Sequence, residues 1–455
     1  MSYAARLTRR QCLLYAAAVV ASGATVACGP SHPAAARLQA SPKRTLLVWQ
    51  PWRATWQSGW GKIFYELTAP FRNANPDIDI KVSAPTSASD IGLVASQILA
   101  GTGPDVFSGF GFPPTAFIDS GLLLDLSSFI KSNGIDLSIF DTAQLAAYRS
   151  AGNLYALPAV LTTSALAVNL GLLDNLGYPR PAPGWTYTEA ETLWHSTTRR
   201  SFTSPRTGVT FDLIGGSFPG PEYWEGWGAS IIDPTNPSIC GLSSTAATRF
   251  ADWYWPLFTA GVIGSGTSPT NVLASQLQSG LVVMQEVGTA ILASLATELQ
   301  GLVYDFYPWP AWPTGTTSGA GLDFYAISTR TQHPQEAFRF LQWLTAEPVW
   351  PRTVLRLQFA LPALRSLWEE WAQVVPQVAP PFQGKNLHAF LTAALENRAY
   401  PLAAWQYSTG TTWATLVSAG NQINSQNVSP VLGLNSLTHQ IDAIQAAAAT
   451  AAKAG

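Results

Sequence analysis

Seven tryptophans stand in short segments broken by proline or glycine. They are Trp52 and Trp56 in VWQPWRATWQSGW, Trp224 and Trp227 in PEYWEGWG, Trp309 and Trp312 in YPWPAWP, and Trp405 in YPLAAWQY. An indole is a large, stiff, amphipathic face, so the chemistry open to this set is stacking, helped by hydrogen bonds from polar neighbours. Bond-making chemistry has no comparable set. His32, His195, His333, His388 and His439 are scattered, with no pair at metal-ligand spacing. A GxSxG nucleophile elbow is missing. SGFG and GAG lack both the strand–GxGxxG–helix context and a Walker lysine. Carboxylates are sparse, and nothing locates a glycosidase pair. The reading is therefore of a protein that binds rather than catalyses, with no metal and no cofactor.

Those residues need a scaffold. At 455 residues the chain exceeds one compact core, so two or more lobes are expected. Composition is globular, 47% hydrophobic and 11% charged, without the basic clusters of a nucleic-acid binder. RTLLVWQ reads as a buried strand ended by Pro51, and IDIKVSA and DVFSGFG as two more. Between them lie a helix with Trp60, Ile63, Phe64, Leu67 and Phe71 on one face, and a second in ASDIGLVASQILAGTG. Strands alternating with helices imply a largely parallel sheet covered on both faces, an α/β fold. The spacing of Trp49, Trp52, Trp56 and Trp60 mimics a helical stripe, but Pro51 and Gly59 break it. Trp49 then closes a strand and Trp60 opens a helix, while Trp52 and Trp56 fall on the connecting loop. Trp194, Trp253, Trp255, Trp343, Trp368, Trp371 and Trp413 sit on helix faces and read as core.

Residues 1–27 read as an export signal, with basic RLTRR, an apolar LLYAAAVVASGATVA and then Cys28. TRRQCLL resembles a twin-arginine signal and TVACG a lipobox, which would make Cys28 the lipidated first residue of the mature chain. Loss of 1–27 removes Arg6, Arg9 and Arg10 and no acid, moving the formal charge from −2 to −5. Cys240 is then the one cysteine in the folded body, so no internal disulfide is expected. Residues 28–43 read as a tether.

Several blocks resemble the extracellular solute-binding proteins of ABC importers, specifically the family-1 group that mostly binds sugars. Gly101, Pro104, Asp105 and Val106 precede Gly121, Leu122, Leu123, Asp125 and Leu126. Gly152, Tyr155, Pro158, Asn169, Leu173, Gly177, Pro183, Trp185, Thr186 and Glu189 occupy the next block. WGASIIDP, LQSGLVVMQEVGTAIL and ISTRTQHPQEAFRFLQWLTAEP follow in family order. The resemblance implies a two-lobed periplasmic-binding-protein-like fold of type II, with ligand held in the cleft and a hinge crossed three times. By that pattern lobe one takes 44–157 and 308–330, and lobe two takes 158–307 and 331–455. It also implies ABC permease subunits as partners, a monomer, no nucleic acid, and attachment to the outer face of the cytoplasmic membrane, or the periplasm, through the lipid anchor alone.

Open α/β sheets present ligands to loops at the carboxyl ends of their strands. That rule selects Trp52 and Trp56 after the first strand, Phe110 (with Ser108) after the third, Thr162 (with Thr163) at a lobe crossing, and Gly288 (with Thr289) opening a helix. Trp224, Trp227, Trp309, Trp312 and Trp405 join them, with Gln50, Arg53, Glu286, Asp323 and Arg398 as polar partners. A mono- or oligosaccharide suits such a set, its C–H faces on the rings and its hydroxyls on acids, amides and arginine. Two other readings stay open. One is the same fold holding a polyamine, a phosphodiester or another non-sugar solute; the other is an exported carbohydrate-active enzyme.

Overall fold

The computed structural model describes residues 44–49, 60–83, 91–109, 117–118, 120–200, 205–214, 217–233, 239–266, 273–396, 398–401 and 409–454. Two mixed sheets organise them. The first contains β1 (Arg44–Trp49), β2 (Ile78–Ser83), β3 (Val106–Gly109) and β4 (Ala156–Thr162). The second contains β5 (Ser164–Asn169), β6 (Thr207–Ile214), β7 (Ile263–Gly266), β8 (Val282–Gly288) and β9 (Tyr304–Tyr307). The chain then returns to the first sheet as β10 (Ser318–Ile327) and β11 (Ala399–Pro401).

In the first sheet β1 runs parallel to β2 and β3, as the alternating helices require. β10 inserts antiparallel between β3 and β4. The second sheet has the order β7-β6-β8-β5-β9, with β5 antiparallel to both of its neighbours. All six residues of β5 are buried, which matches its near-continuous apolar sequence.

The chain passes between sheets at Thr163, again between Tyr307 and Ser318, and a third time after the helices Pro334–Thr345 and Val349–Gln358. Strand β11 adds a short later visit to the first sheet, before Thr409–Asn424 and Pro430–Ala454 pack on the second.

Three lobe assignments made from sequence differ from this arrangement. Lobe one extends past 157 to Thr162, because Pro158 does not end β4. It sits at a bulge, where the register with β10 shifts between Asp323 and Phe324, and a bulge is where a sheet tolerates proline. Most buried residues of 334–367 pack in the first core rather than in lobe two, although Leu355 and Leu361 face a third cluster with residues 368–394. Their helix 334–345 is amphipathic, and its buried stripe sets Phe340 at 4.8 Å from Phe71, while Trp350 meets Phe64 at 5.0 Å. Trp309 and Trp312 join the second core although they precede β10. A fourth difference is local. The expected helix from Trp60 through Phe71 breaks after Leu67, where Pro70 starts a new helix, Ala69–Ala74.

Candidate ligand-binding site at the seam between the lobes

The crossing at residues 161–164 carries a dense polar network. Thr163 N donates to Thr289 Oγ1 at 3.2 Å, Thr289 N donates to Thr163 O at 2.9 Å, and Thr289 Oγ1 donates to Leu161 O at 3.3 Å. Ser164 N donates to Ser318 Oγ at 2.8 Å, and Trp309 Nε1 donates to Ser164 Oγ at 3.1 Å. Two crossings are thus hydrogen-bonded side by side, as buried polar groups in a hinge must be.

A short helix of the second lobe, Pro221–Gly226, closes one side of the seam. The Tyr223 hydroxyl donates to the Glu286 carboxylate on β8. One residue earlier, Glu222 reaches across to β10. Its backbone oxygen accepts from Thr317 Oγ1 at 2.8 Å, and its carboxyl carbon lies 3.3 Å from where a Cβ on Gly319 would stand. Gly319, Gly321 and Asp323 alternate onto one face of β10, so Glu222 lies against the face that Asp323 shares. Gly321 has the same role for Thr162, whose own Cβ would come within 2.6 Å of an added one. A glycine inside a strand marks close approach of this kind.

Three carboxylates on these elements are withdrawn from solvent. Glu222, Glu286 and Asp323 are 4%, 6% and 6% exposed, unusual for carboxylates in a chain with so few. The Asp323 carbonyl accepts from the Tyr148 hydroxyl at 3.3 Å, and burial above all, then the charges of Asp323 and Asp141, raises the Tyr148 hydroxyl well above its usual range. Burial also lifts the Glu225 carboxyl, with Ser230 and Arg398 acting in the opposite direction. Arg398 itself is held by Thr316 O at 2.9 Å and Thr314 Oγ1 at 2.7 Å.

The chain matches the bacterial extracellular solute-binding protein profile over residues 54–349, well over half its length. It belongs to that family. A curated relative, the galactooligosaccharide-binding protein of Bacillus subtilis (strain 168), is 25% identical over 283 residues. That match takes in 60% of this chain and 61% of the relative, so the chain spans less than two thirds of the relative's length. Solved structures share the fold, among them the following three. A Rhizobium etli sugar transporter in an open conformation superposes with TM-score 0.72 at 18% identity, over 88% of this chain and 100% of that one. The sugar-binding protein MalE of Xanthomonas citri gives 0.71 at 17%, over 89% and 98%. A Listeria monocytogenes ABC substrate-binding protein in complex with cycloalternan gives 0.68 at 18%, over 88% and 98%.

Within this solute-binding protein the residues singled out from sequence take different places. Trp52, Trp56, Phe110 and Trp405 lie outside the described residues, as do Gln50, Arg53 and Cys28. Thr162 and Gly288 come together at the crossing, with Thr162 Cγ2 at 3.6 Å from a Cβ position on Gly288. Glu286 and Asp323 are both buried, Glu286 against Tyr223 and Asp323 beside Tyr148 of the first core.

Trp224 departs from the expectation of a loop ring facing the cleft. It is 0% exposed on the helix Pro221–Gly226, its N–H donates to Pro219 O at 3.0 Å, and Phe250 lies 4.4 Å from its ring. Phe250 and Trp255 of the helix Thr245–Thr259, with Phe218, give it an apolar bed, so it packs inside the lobe. Trp227, Trp309 and Trp312 are also buried in that aromatic cluster. Trp227 meets Trp253 at 5.4 Å, and Trp309 meets Phe211 at 5.2 Å.

Sequence reasoning passed over Tyr223, Ser164, Ser318 and Thr317. The available signal was GAG, read only as a failed nucleotide loop. Its two glycines instead give the second lobe's Glu222 and the crossing's Thr162 room against β10.

Proposed function

We propose that this solute-binding protein is the extracytoplasmic capture component of an ABC importer and that its solute is a mono- or oligosaccharide. The observation that carries the reading is the buried polar seam. Glu286 with Tyr223, Glu222 against Gly319, and the hydroxyls of Thr162, Thr163, Ser164 and Ser318 all lie where two α/β lobes meet. Carboxylates and hydroxyls of this kind hold sugar hydroxyls by paired hydrogen bonds. Trp52, Trp56, Phe110 and Trp405 are proposed to supply the stacking faces. The names of the Bacillus relative and of the Listeria complex support a saccharide. Lobe closure around the ligand would present the shape that permease subunits recognise. The chain performs no chemistry in this reading, acts as a monomer, and is held at the outer face of the membrane by a lipid on Cys28.

A second reading, a cationic solute such as a polyamine, is favoured by the three buried carboxylates Glu222, Glu286 and Asp323. One screen separates the two. A ligand at a hundred times its Kd adds about 2.7 kcal/mol of stability, so melting temperature is measured against mono- and oligosaccharides and polyamines. A rise with saccharides alone supports the sugar. A rise with polyamines alone transfers the site to the second reading. Mass spectrometry of the exported chain, looking for an acylated Cys28 at its N-terminus, tests the anchor.

A further inference from the structure

Away from the seam, the second lobe carries a concentration of positive charge that solute capture does not use. Residues 192–211 contain His195, Arg199, Arg200 and Arg206 and no acid, in a chain of net charge −2. Arg199 and Arg206 stand directly opposite each other in an antiparallel bridge, exchanging N–H···O bonds of 2.8 and 2.9 Å. Like charges directly opposed on a ladder destabilise it. Arg199, Arg200 and Arg206, with Thr198, Thr207 and Thr259, line a pocket of about 510 Å³, and no acid lines it among the described residues.

Two of the three guanidinium groups have a partial structural explanation. Arg206 Nε donates to Thr197 O at 2.6 Å, closing the end of the helix Tyr187–Thr197. Arg200 donates through Nε to Ala260 O and through Nη2 to Thr259 O, each at 2.9 Å, closing the end of the helix Thr245–Thr259. A cation at a helix C-terminus is favourable. These bonds take only part of the five N–H donors each guanidinium carries. They leave Arg199 unexplained. Among the described residues its guanidinium makes no hydrogen bond and no ion pair, whereas Arg44, Arg180, Arg339, Arg352 and Arg356 each pair with an acid.

The geometry points to an oxyanion site of the phosphate class in this pocket, with Arg199 as its principal ligand and the remaining donors of Arg200 and Arg206 beside it. Planar guanidinium forks match phosphate oxygens two at a time, and an anion seated there removes the Arg199–Arg206 repulsion. The shared chemistry has two sources, free phosphate or a phospholipid headgroup. An adjoining depression of about 400 Å³ lined by Arg200, Trp255, Pro256 and Pro430 gives the headgroup arm an apolar neighbour.

The test uses the exported chain carrying Cys28→Ala, which cannot be anchored by a lipid, with and without Arg199→Gln. Because the Arg199 guanidinium holds no other group in place among the described residues, the variant is expected to fold as the parent does. One arm measures melting temperature and titration heat against sodium phosphate, with sodium chloride at equal ionic strength as reference. The other measures co-sedimentation with vesicles of phosphatidylglycerol and phosphatidylcholine, against phosphatidylcholine alone. A saturable phosphate response, weakened at least tenfold by Arg199→Gln, assigns the site to a free anion. Retention on phosphatidylglycerol vesicles at least tenfold above the neutral ones, lost in the variant, assigns it to a headgroup. Equal response to phosphate and chloride with equal retention on both vesicles overturns the inference, and so does any response that Arg199→Gln leaves unchanged.

Discussion

Ser164 at the start of β5 donates its backbone N–H to the hydroxyl of Ser318 at the start of β10, at 2.8 Å. The two residues are 154 positions apart, and each is where the chain enters a new sheet. The Ser318 hydroxyl therefore joins two strands of the hinge through one buried oxygen. Replacing it with Ser318→Ala leaves a buried N–H unpaired, which costs about 1–3 kcal/mol. Urea unfolding should show a lower midpoint with an unchanged slope. A midpoint equal to the parent's would mean that the bond contributes nothing to the hinge.

Gly321 and Gly288 lie on either side of Thr162 and should respond differently to a methyl group. At Gly321 an added Cβ meets the Thr162 Cβ at 2.6 Å and its Oγ1 at 2.9 Å, so Gly321→Ala must push β10 from β4. Overpacking of that kind costs about 1–3 kcal/mol. At Gly288 the nearest atom is Thr162 Cγ2 at 3.6 Å, an ordinary contact. Gly288→Ala should melt with the parent while losing affinity for the solute. Equal melting temperatures for the two variants would contradict the packing at Thr162.

The contrast between these glycines shows what was legible in the sequence. β1, β2 and β3 were plain because apolar runs and period-two alternation register burial directly, and Leu46, Val48, Ile78 and Ile80 are buried accordingly. The continuation of β4 through Pro158 was not legible because a bulge depends on the partner strand, which local sequence does not reveal. The helix Pro334–Thr345 was legible as a helix, but which sheet its stripe covers is a long-range property, decided by Phe71 and Phe129 far upstream. The site was legible as residue types and only partly as places. Tryptophans in proline- and glycine-broken segments looked exposed, yet Trp224 and Trp309 found an aromatic bed in Phe211, Phe218, Tyr223, Phe250, Trp255 and Trp312, most of them distant in sequence.

Cys240 offers a test by pH. Burial is the dominant cause that raises its thiol from 9.0 to about 11, against hydrogen bonds at Leu242 and Thr438 that lower it. The thiol is therefore neutral in the folded protein at pH 8, and alkylation of the peptide containing Cys240 should be slow until denaturant is added. The linkage has a definite sign. Between pH 9 and about 11 the unfolded chain has released this proton while the folded chain keeps it. The unfolded state then binds fewer protons, so this group's contribution to stability falls as pH rises through that window and is full below it. Rapid alkylation of the native protein at pH 8 would show that the thiol is not enclosed.

Trp224 and Glu286 were both candidate ligand contacts, and their surroundings now separate them. Trp224 is enclosed by Phe218, Phe250 and Trp255 and bonded to Pro219 O. Trp224→Ala removes a filled volume from the second core and should cost about 3–5 kcal/mol in unfolding. Trp224→Phe keeps most of that volume, loses the bond to Pro219, and should leave solute affinity unaltered. Glu286 instead lies on β8 at the seam, held by Tyr223 from a different element. Glu286→Gln retains an oxygen for the tyrosine but removes the charge that would bind sugar hydroxyls. Affinity measured by calorimetry should fall about tenfold, equivalent to about 1.4 kcal/mol, with a far smaller change in melting temperature. The reverse pattern, affinity lost in Trp224→Phe and kept in Glu286→Gln, would move the ligand contact back to the indole and make the Glu286–Tyr223 pair a purely structural clasp.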